Sequence, residues 1–198
     1  LVFKTNNVER LRMATDYTFQ TPAGVALSFG NSNTISTTTT LVNFGVGNVN
    51  NYVNGSTFGR SNIVNGAQGT AVGYGNNASN TDATAVGRSN NVFGAQASAF
   101  GYSNNANGLR ATSLGYGNFA NDTDATAVGR SNTATNTASA FGYANTASGI
   151  RAVALVNSNT ASGTHPVALG RQNTSSAAQS TALGYRSTAS GDQSFAAG

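Results

Sequence analysis

The chain has 198 residues, 8% of them charged, with a net charge of +4, 24 glycines and no cysteine. These figures exclude a disulfide scaffold and a thiolate metal site, and ten thinly spread basic residues without a recognised binding motif argue against a nucleic-acid partner. No apolar stretch reaches the roughly eighteen residues of a membrane span and no signal peptide opens the chain, so no span is expected in this segment. Because it starts at Leu1 rather than methionine, a piece of a longer protein is expected.

The opening segment differs from everything after it. Leu1-Val2-Phe3-Lys4-Thr5 and Val8-Glu9-Arg10-Leu11-Arg12-Met13 alternate apolar with polar across Asn6-Asn7, the pattern of a hairpin turning at the asparagines. Residues 17–22 read as a linker or an atypical first coil. The expected division is therefore an N-terminal hairpin or cap over 1–22 and a repeat domain over 23–198.

From Ser28 onward a short phrase closed by glycine returns every fourteen residues, as in Ala71-Val72-Gly73, Ala85-Val86-Gly87, Ala99-Phe100-Gly101 and Ala182-Leu183-Gly184. The third residue after the glycine is asparagine in Asn62, Asn76, Asn90, Asn104, Asn118, Asn132, Asn145, Asn159 and Asn173. The fifth is small and apolar, and the seventh is a turn former such as Gly66, Asn80, Gly94 or Asp122. Each copy reads as strand, corner, strand, corner. Gly, Ser, Thr and Asn at this density argue against helix, and the low complexity is not disorder, because a chain that never packs has no reason to keep an apolar period. The expected fold is all-β, a parallel β-solenoid with 14-residue coils. About thirteen coils stacked in register make a rod of roughly 60 Å.

The irregularities are informative as well. Gly30 to Gly45 is fifteen residues, Gly129 to Gly142 is thirteen, and Val156 stands where glycine is expected. Single-residue insertions and deletions belong in corners. The segment from Gly73 to Asn90 recurs 42 residues later, from Gly115 to Asn132, as if three coils were duplicated as a block.

Strand alternation also predicts assembly. In Ala83-Thr84-Ala85-Val86-Gly87-Arg88, Ala83, Ala85 and Gly87 share one face while Thr84, Val86 and Arg88 share the other. The alanine column and the Val72, Val86, Phe100, Leu114, Val128, Phe141, Leu155, Leu169, Leu183 column cannot both line one narrow interior. The second must be covered by another chain, and a cyclic trimer covers all three stripes at a common axis, although a dimer also satisfies the pattern.

Functional candidates follow from the same periodicity. The residue after the glycine is Arg60, Tyr74, Arg88, Tyr102, Tyr116, Arg130, Tyr143, Arg171 or Tyr185, a ladder of guanidinium and phenol groups. Such a ladder is a candidate receptor or glycan surface, suited to stacking on sugars or holding acidic glycans, and it equally serves to stabilise the fibre. The asparagine column reads as a structural ladder of amides hydrogen-bonded from coil to coil. Thr37, Thr38, Thr39 and Thr40 are consecutive rather than periodic, which argues against an ice-binding face. His165 beside Pro166 reads as a solvent-facing corner residue, and Asp82, Asp122 and Asp124 as turn caps. No Gly-Gly-x-Gly-x-Asp run exists to bind calcium, and six acidic residues offer few candidates for polysaccharide cleavage. No enzymatic activity, cofactor or metal is expected.

The phrase Ala-(Val/Leu/Phe)-Gly-x-x-Asn-x-Ala-x-Gly over residues 25 to 198 resembles the head repeat of YadA-like trimeric adhesins. That resemblance implies a left-handed parallel β-roll, a homotrimer, and an extended extracellular fibre that binds a cell-surface glycan or protein receptor. Phage tail fibres carry the same repeats, and the segment Phe3 to Met13 looks like a short β segment of such fibres. The resemblance thus implies a virion tail fibre with other virion or fibre components as partners. A bacterial adhesin head at the cell surface, or a purely structural fibre spacer, is the alternative.

Overall fold

The computed structural model describes the backbone of residues 2–5, 8–13, 19–20, 27–36 and 41–198, and side chains in the last two segments. Near the start, β1 (Val2–Thr5) pairs antiparallel with β2 (Val8–Met13), with a register shift between Phe3 and Lys4. The expected turn at Asn6-Asn7 lies outside the described residues. A third strand, β3 (Phe19–Gln20), pairs antiparallel with β2. This part of 17–22 is thus neither a linker nor a first coil. Two residues are too few to carry a readable alternation, so pairing rather than local pattern sets it.

The rest of the described chain is a parallel β-solenoid of about 14-residue turns. Each coil contributes one five-residue strand, such as Thr70–Tyr74 or Thr84–Arg88, and one two-residue strand, such as Asn77–Ala78 or Asn91–Val92. The long strands stack into a parallel sheet of thirteen and the short ones into a parallel sheet of twelve, each in strict sequence order. Register is one residue per equivalent position: Ala71 sits beside Ala85, and Ala85 beside Ala99.

The core is built almost entirely from alanine. The second residue of each long strand (Ala71, Ala85, Ala99, Ala127) and the second of each short strand (Val64, Ala78, Val92, Ala106) are fully buried. A third column, not foreseen as such, comes from the residue just before the long strand: Ala83, Ala97, Ala111, Ala125, Ala138 and Ala152. Methyl groups on three sides fill most of the interior, with Leu41 of an early coil the one leucine buried among the described residues. This filling is why the other large apolar residues stand on the outside.

Both corners need left-handed backbone. In the first corner Ser61, Gly75, Ser89, Ser103, Gly117 and Ser131 have φ between 53° and 63°, and in the second Gln68, Asp82, Gln96, Arg110 and Asp124 have φ between 56° and 59°. The deleted residue of the thirteen-residue interval falls in a second corner, between Ala134 and Ser139, since both flanking strands keep their pairing. The inserted residue of the fifteen-residue interval falls between Ile35 and Val42. Thr37 to Thr40 fall in that interval of the sequence and lie outside the described residues.

Candidate functional site

The outer face of the long-strand sheet carries the first candidate surface. Because side chains alternate along a strand, burying Ala85 turns Val86 outward, and parallel register repeats this in every coil. The resulting column runs through Phe58, Val72, Val86, Phe100, Leu114, Val128 and onward to Leu183. Phe100 is 37% exposed and Leu114 44% exposed, although both are large and apolar. At its beginning Phe29, Phe44 and Phe58 stack with ring centroids 5.1 and 5.4 Å apart. A one-sided apolar stripe about thirteen strands long is far more continuous than the scattered apolar residues of an ordinary surface.

The arginine and tyrosine positions end the long strands, two residues beyond the stripe on the same face. They stack on one another. The Arg88 guanidinium lies over both the Tyr74 ring, 5.7 Å from its centroid, and the Tyr102 ring, 5.4 Å from its centroid. Tyr102 stacks on Tyr116 at 5.2 Å, and Arg130 lies over Tyr116 at 5.3 Å and Tyr143 at 5.5 Å. With Arg60 over Tyr74 at 5.8 Å, the stack is continuous from Arg60 to Tyr143. It breaks at Asn157, which pairs between Tyr143 and Arg171, and resumes with Arg171 over Tyr185 at 5.6 Å. Arg186, one position into the corner, covers Tyr185 at 4.9 Å and was not among the residues singled out by periodicity.

Next to the ladder, in the first corner, the asparagine column is fully enclosed. Asn104 is typical: its Nδ2 donates to the Phe100 carbonyl at 2.9 Å and to the Gly115 carbonyl of the next coil at 2.8 Å, and lies 3.1 Å from Asn90 Oδ1. Its Oδ1 accepts from the backbone N–H of Asn118 at 3.0 Å and from Asn118 Nδ2 at 2.9 Å. The same bonds recur at Asn62, Asn76, Asn90, Asn118 and Asn132. Each amide thereby pairs corner groups that the strands leave over, which the low dielectric of the interior makes costly to leave unpaired.

The closing glycines have a related cause. They hold φ between 105° and 123°, and a Cβ at Gly101 would overlap the carbonyl of Gly115 in the next coil. Val156 occupies this position with φ 91°, and there the bond from Asn145 Nδ2 to the Val156 carbonyl is 3.2 Å, longer than the 2.7 Å from Asn132 to Gly142.

The second corner gathers the acids. Asp82, Asp122, Asp124 and Asp192 all lie there and all are exposed. Arg110 binds Asp124 of the next coil through Nε to Oδ1 at 2.7 Å and a second N–H to Oδ2 at 2.7 Å. That hydrogen bond holds the Asp124 carboxyl below the usual carboxylate range, desolvation opposing it, and the same bond raises the Arg110 guanidinium. His165 is exposed, with one ring nitrogen 3.5 Å from the Arg151 guanidinium. Among the described residues no group of three His, Asp or Glu side chains converges as a metal site would.

Sequence reasoning did not find the polar stretch inside the early coils. Asn43 and Asn50 are buried where later coils carry alanine or valine. Thr57 donates to Asn43, whose Nδ2 donates to the Thr34 carbonyl at 3.2 Å, but both polar atoms of the Asn50 side chain lack a partner among the described residues. The available signal was the departure of these residues from the alanine phase of the repeat.

Comparison with known proteins gives one family. The model described as YadA head domain repeat (2 copies) matches residues 65–90, 94–118, 106–132, 136–155, 161–187 and 175–198. No curated protein matches the chain. Among the described residues no helix is long and apolar enough to cross a membrane.

Proposed function

The chain belongs to the YadA head domain repeat family, which matches more than half of its length, and from that premise we propose that it is a segment of an extended homotrimeric adhesin that attaches a bacterial cell surface to a receptor. The family is structural and adhesive rather than catalytic, and its heads are exposed at the cell surface. The observation that carries the trimer is the unbroken apolar stripe from Phe29 to Leu183, which has no counterpart within its own coil to cover it. Three copies related by a closed axis each turn that stripe inward and leave no apolar column in water. The left-handed β-roll implied by the family repeat belongs to the same reading.

The head of a surface adhesin is preferred here over a virion tail fibre. The tail-fibre expectation rests on Phe3 to Met13, which lie outside every matched segment, whereas the repeats from residue 65 to 198 carry the adhesin family. The test uses beads coated with the chain and passed over monolayers of animal cells and over matrix-coated surfaces. Retention above that of uncoated beads on at least one surface is expected. Beads that slip from all of them indicate a spacer without attachment.

A further inference from the structure

Five arginines, Arg60, Arg88, Arg130, Arg171 and Arg186, line the first-corner edge of the solenoid, and all five are exposed. Four end long strands and the fifth lies one residue beyond Tyr185. At about 4.8 Å per coil they are separated by two, three, three and one coils, an edge of roughly 43 Å from Arg60 to Tyr185. The four acids of the described solenoid all sit in the other corner, so this edge carries one sign of charge.

The hydrogen-bonding capacity of these groups is largely unspent. Among the described residues none of the five takes part in an ion pair, the observed pair being Arg110 with Asp124 in the second corner. Arg186 donates to Gln172 Oε1 at 3.1 Å, and the other four guanidinium groups meet no acceptor among the described residues. Most of the ring faces, by contrast, are taken, Tyr143 being covered by Arg130 on one side. Tyr74 is covered by Arg60 and Arg88, Tyr102 by Arg88 and Tyr116, and Tyr116 by Tyr102 and Arg130. A sugar cannot stack on a phenol already sandwiched, and neither can a base of a single-stranded nucleic acid, which draws much of its affinity from such stacking. What remains open is the guanidinium edge, whose donors match the oxygens of carboxylate and sulfate groups.

We propose that the first-corner edge of this rod binds a linear polyanionic polysaccharide laid along the solenoid axis, with its carboxylate or sulfate groups on Arg60, Arg88, Arg130, Arg171 and Arg186. A flexible chain with charge on successive sugars can reach unequally spaced arginines, where a rigid lattice could not. Tyrosine rings flank Arg88 and Arg130 on both sides and Arg60, Arg171 and Arg186 on one, which lowers the ordering cost of each contact. The edge lies beside the apolar stripe and two residues from it, so a copy that covers the stripe leaves the arginines at the rim. This inference rests on the attachment reading and names the ligand of that surface.

The test measures binding of the intact chain to immobilised heparin, polygalacturonate, dextran and duplex DNA at low and high salt. Heparin and polygalacturonate should bind with a steep salt dependence and dextran should not. Arg88→Gln with Arg130→Gln should weaken binding about tenfold. Arg110→Gln with Arg151→Gln removes equal charge from the opposite corner and should leave it within about twofold. Equal loss in both pairs, or no polysaccharide binding at low salt, overturns the proposal, as does binding of duplex DNA alone.

A wild-type measurement guards against a variant that fails to fold. Bound heparin should protect the five edge arginines, but not Arg110 or Arg151, from a dicarbonyl reagent read by mass spectrometry. Uniform or absent protection overturns the proposal. Light scattering on the same samples reports the trimer separately, so a monomer contradicts the assembly reading and leaves the ligand result to stand or fall alone.

Discussion

At the scale of single residues, backbone constraint decides identity more than chemistry does. Gly101 is glycine because the next coil's carbonyl occupies the space of a Cβ and because φ is 115° there. Val156 takes the same position at φ 91°, in a region that β-branched residues rarely enter, at a cost of about 1–3 kcal/mol. Its side chain is 56% exposed, so little burial is lost on removal. Val156→Gly gives back about 0.5–1 kcal/mol to unfolded-chain entropy, less than the strain it relieves. Thermal unfolding of this variant should therefore begin at a higher temperature than that of the parent, and a lower one would show that Val156 is unstrained.

A second residue-scale prediction concerns pH. Asp124 is held below the ordinary carboxylate range chiefly by its hydrogen bond to Arg110. A depressed carboxyl favours the folded state above its unfolded value, and this contribution disappears as the pH falls through the lowered folded value. Arg110→Ala should shift the Asp124 titration, followed by carboxyl-carbon NMR, upward towards the ordinary range. An unmoved midpoint would mean that the pair seen here does not persist in solution. Asn132, Gly129 and Ala127 were readable from the sequence because each answers a constraint repeated in every coil. Asn43 and Asn50 were not, because their burial is an exception to the period and follows from the coils around them rather than from local pattern.

At the scale of the element, the unit is one coil, and it is legible because its signal is repeated about a dozen times. Ala85 inside and Val86 outside follow from alternation in a five-residue strand, and the corners follow from turn formers at fixed phase. Three features escaped. The column Ala83, Ala97 and Ala111 lies just before the strand; alternation put Ala83 on the face of Ala85 in one coil without marking a separate core column through the others. Strand β3 is too short to read. The stacking order of Arg88 between Tyr74 and Tyr102 depends on rotamers and on the coil spacing, which no single copy reveals.

If coils are independent units joined only to their neighbours, whole coils can be removed and fractions cannot. Joining Gly73 to Tyr116 deletes residues 74–115, three complete coils, and keeps every column in phase. This variant should retain the β-sheet circular dichroism of the parent and shorten by about 14 Å in small-angle scattering. Deleting seven residues more places short-strand positions against long-strand positions and should abolish the fold. Equal tolerance of both deletions would contradict the coil as the unit of structure.

At the scale of the whole molecule, the interior is too small to supply the burial that the exterior leaves undone. The core holds mainly methyl groups and amides, while Phe58, Phe100, Leu114 and Phe141 stand in one exposed row. Covering that row would add about 25 cal/mol for each Å² of apolar surface removed from water, which is the stabilisation that the proposed association supplies. The adhesin family and the stripe meet in this expectation. Strand order, period and core are properties of one chain, whereas the number of chains is a property of the row they share.

Sedimentation equilibrium of the purified chain tests this most directly. The account predicts a single species of about three times the 20.0 kDa protomer, persisting on dilution, that Phe100→Asp with Leu114→Asp disperses. A folded protomer sedimenting at its own mass would contradict it.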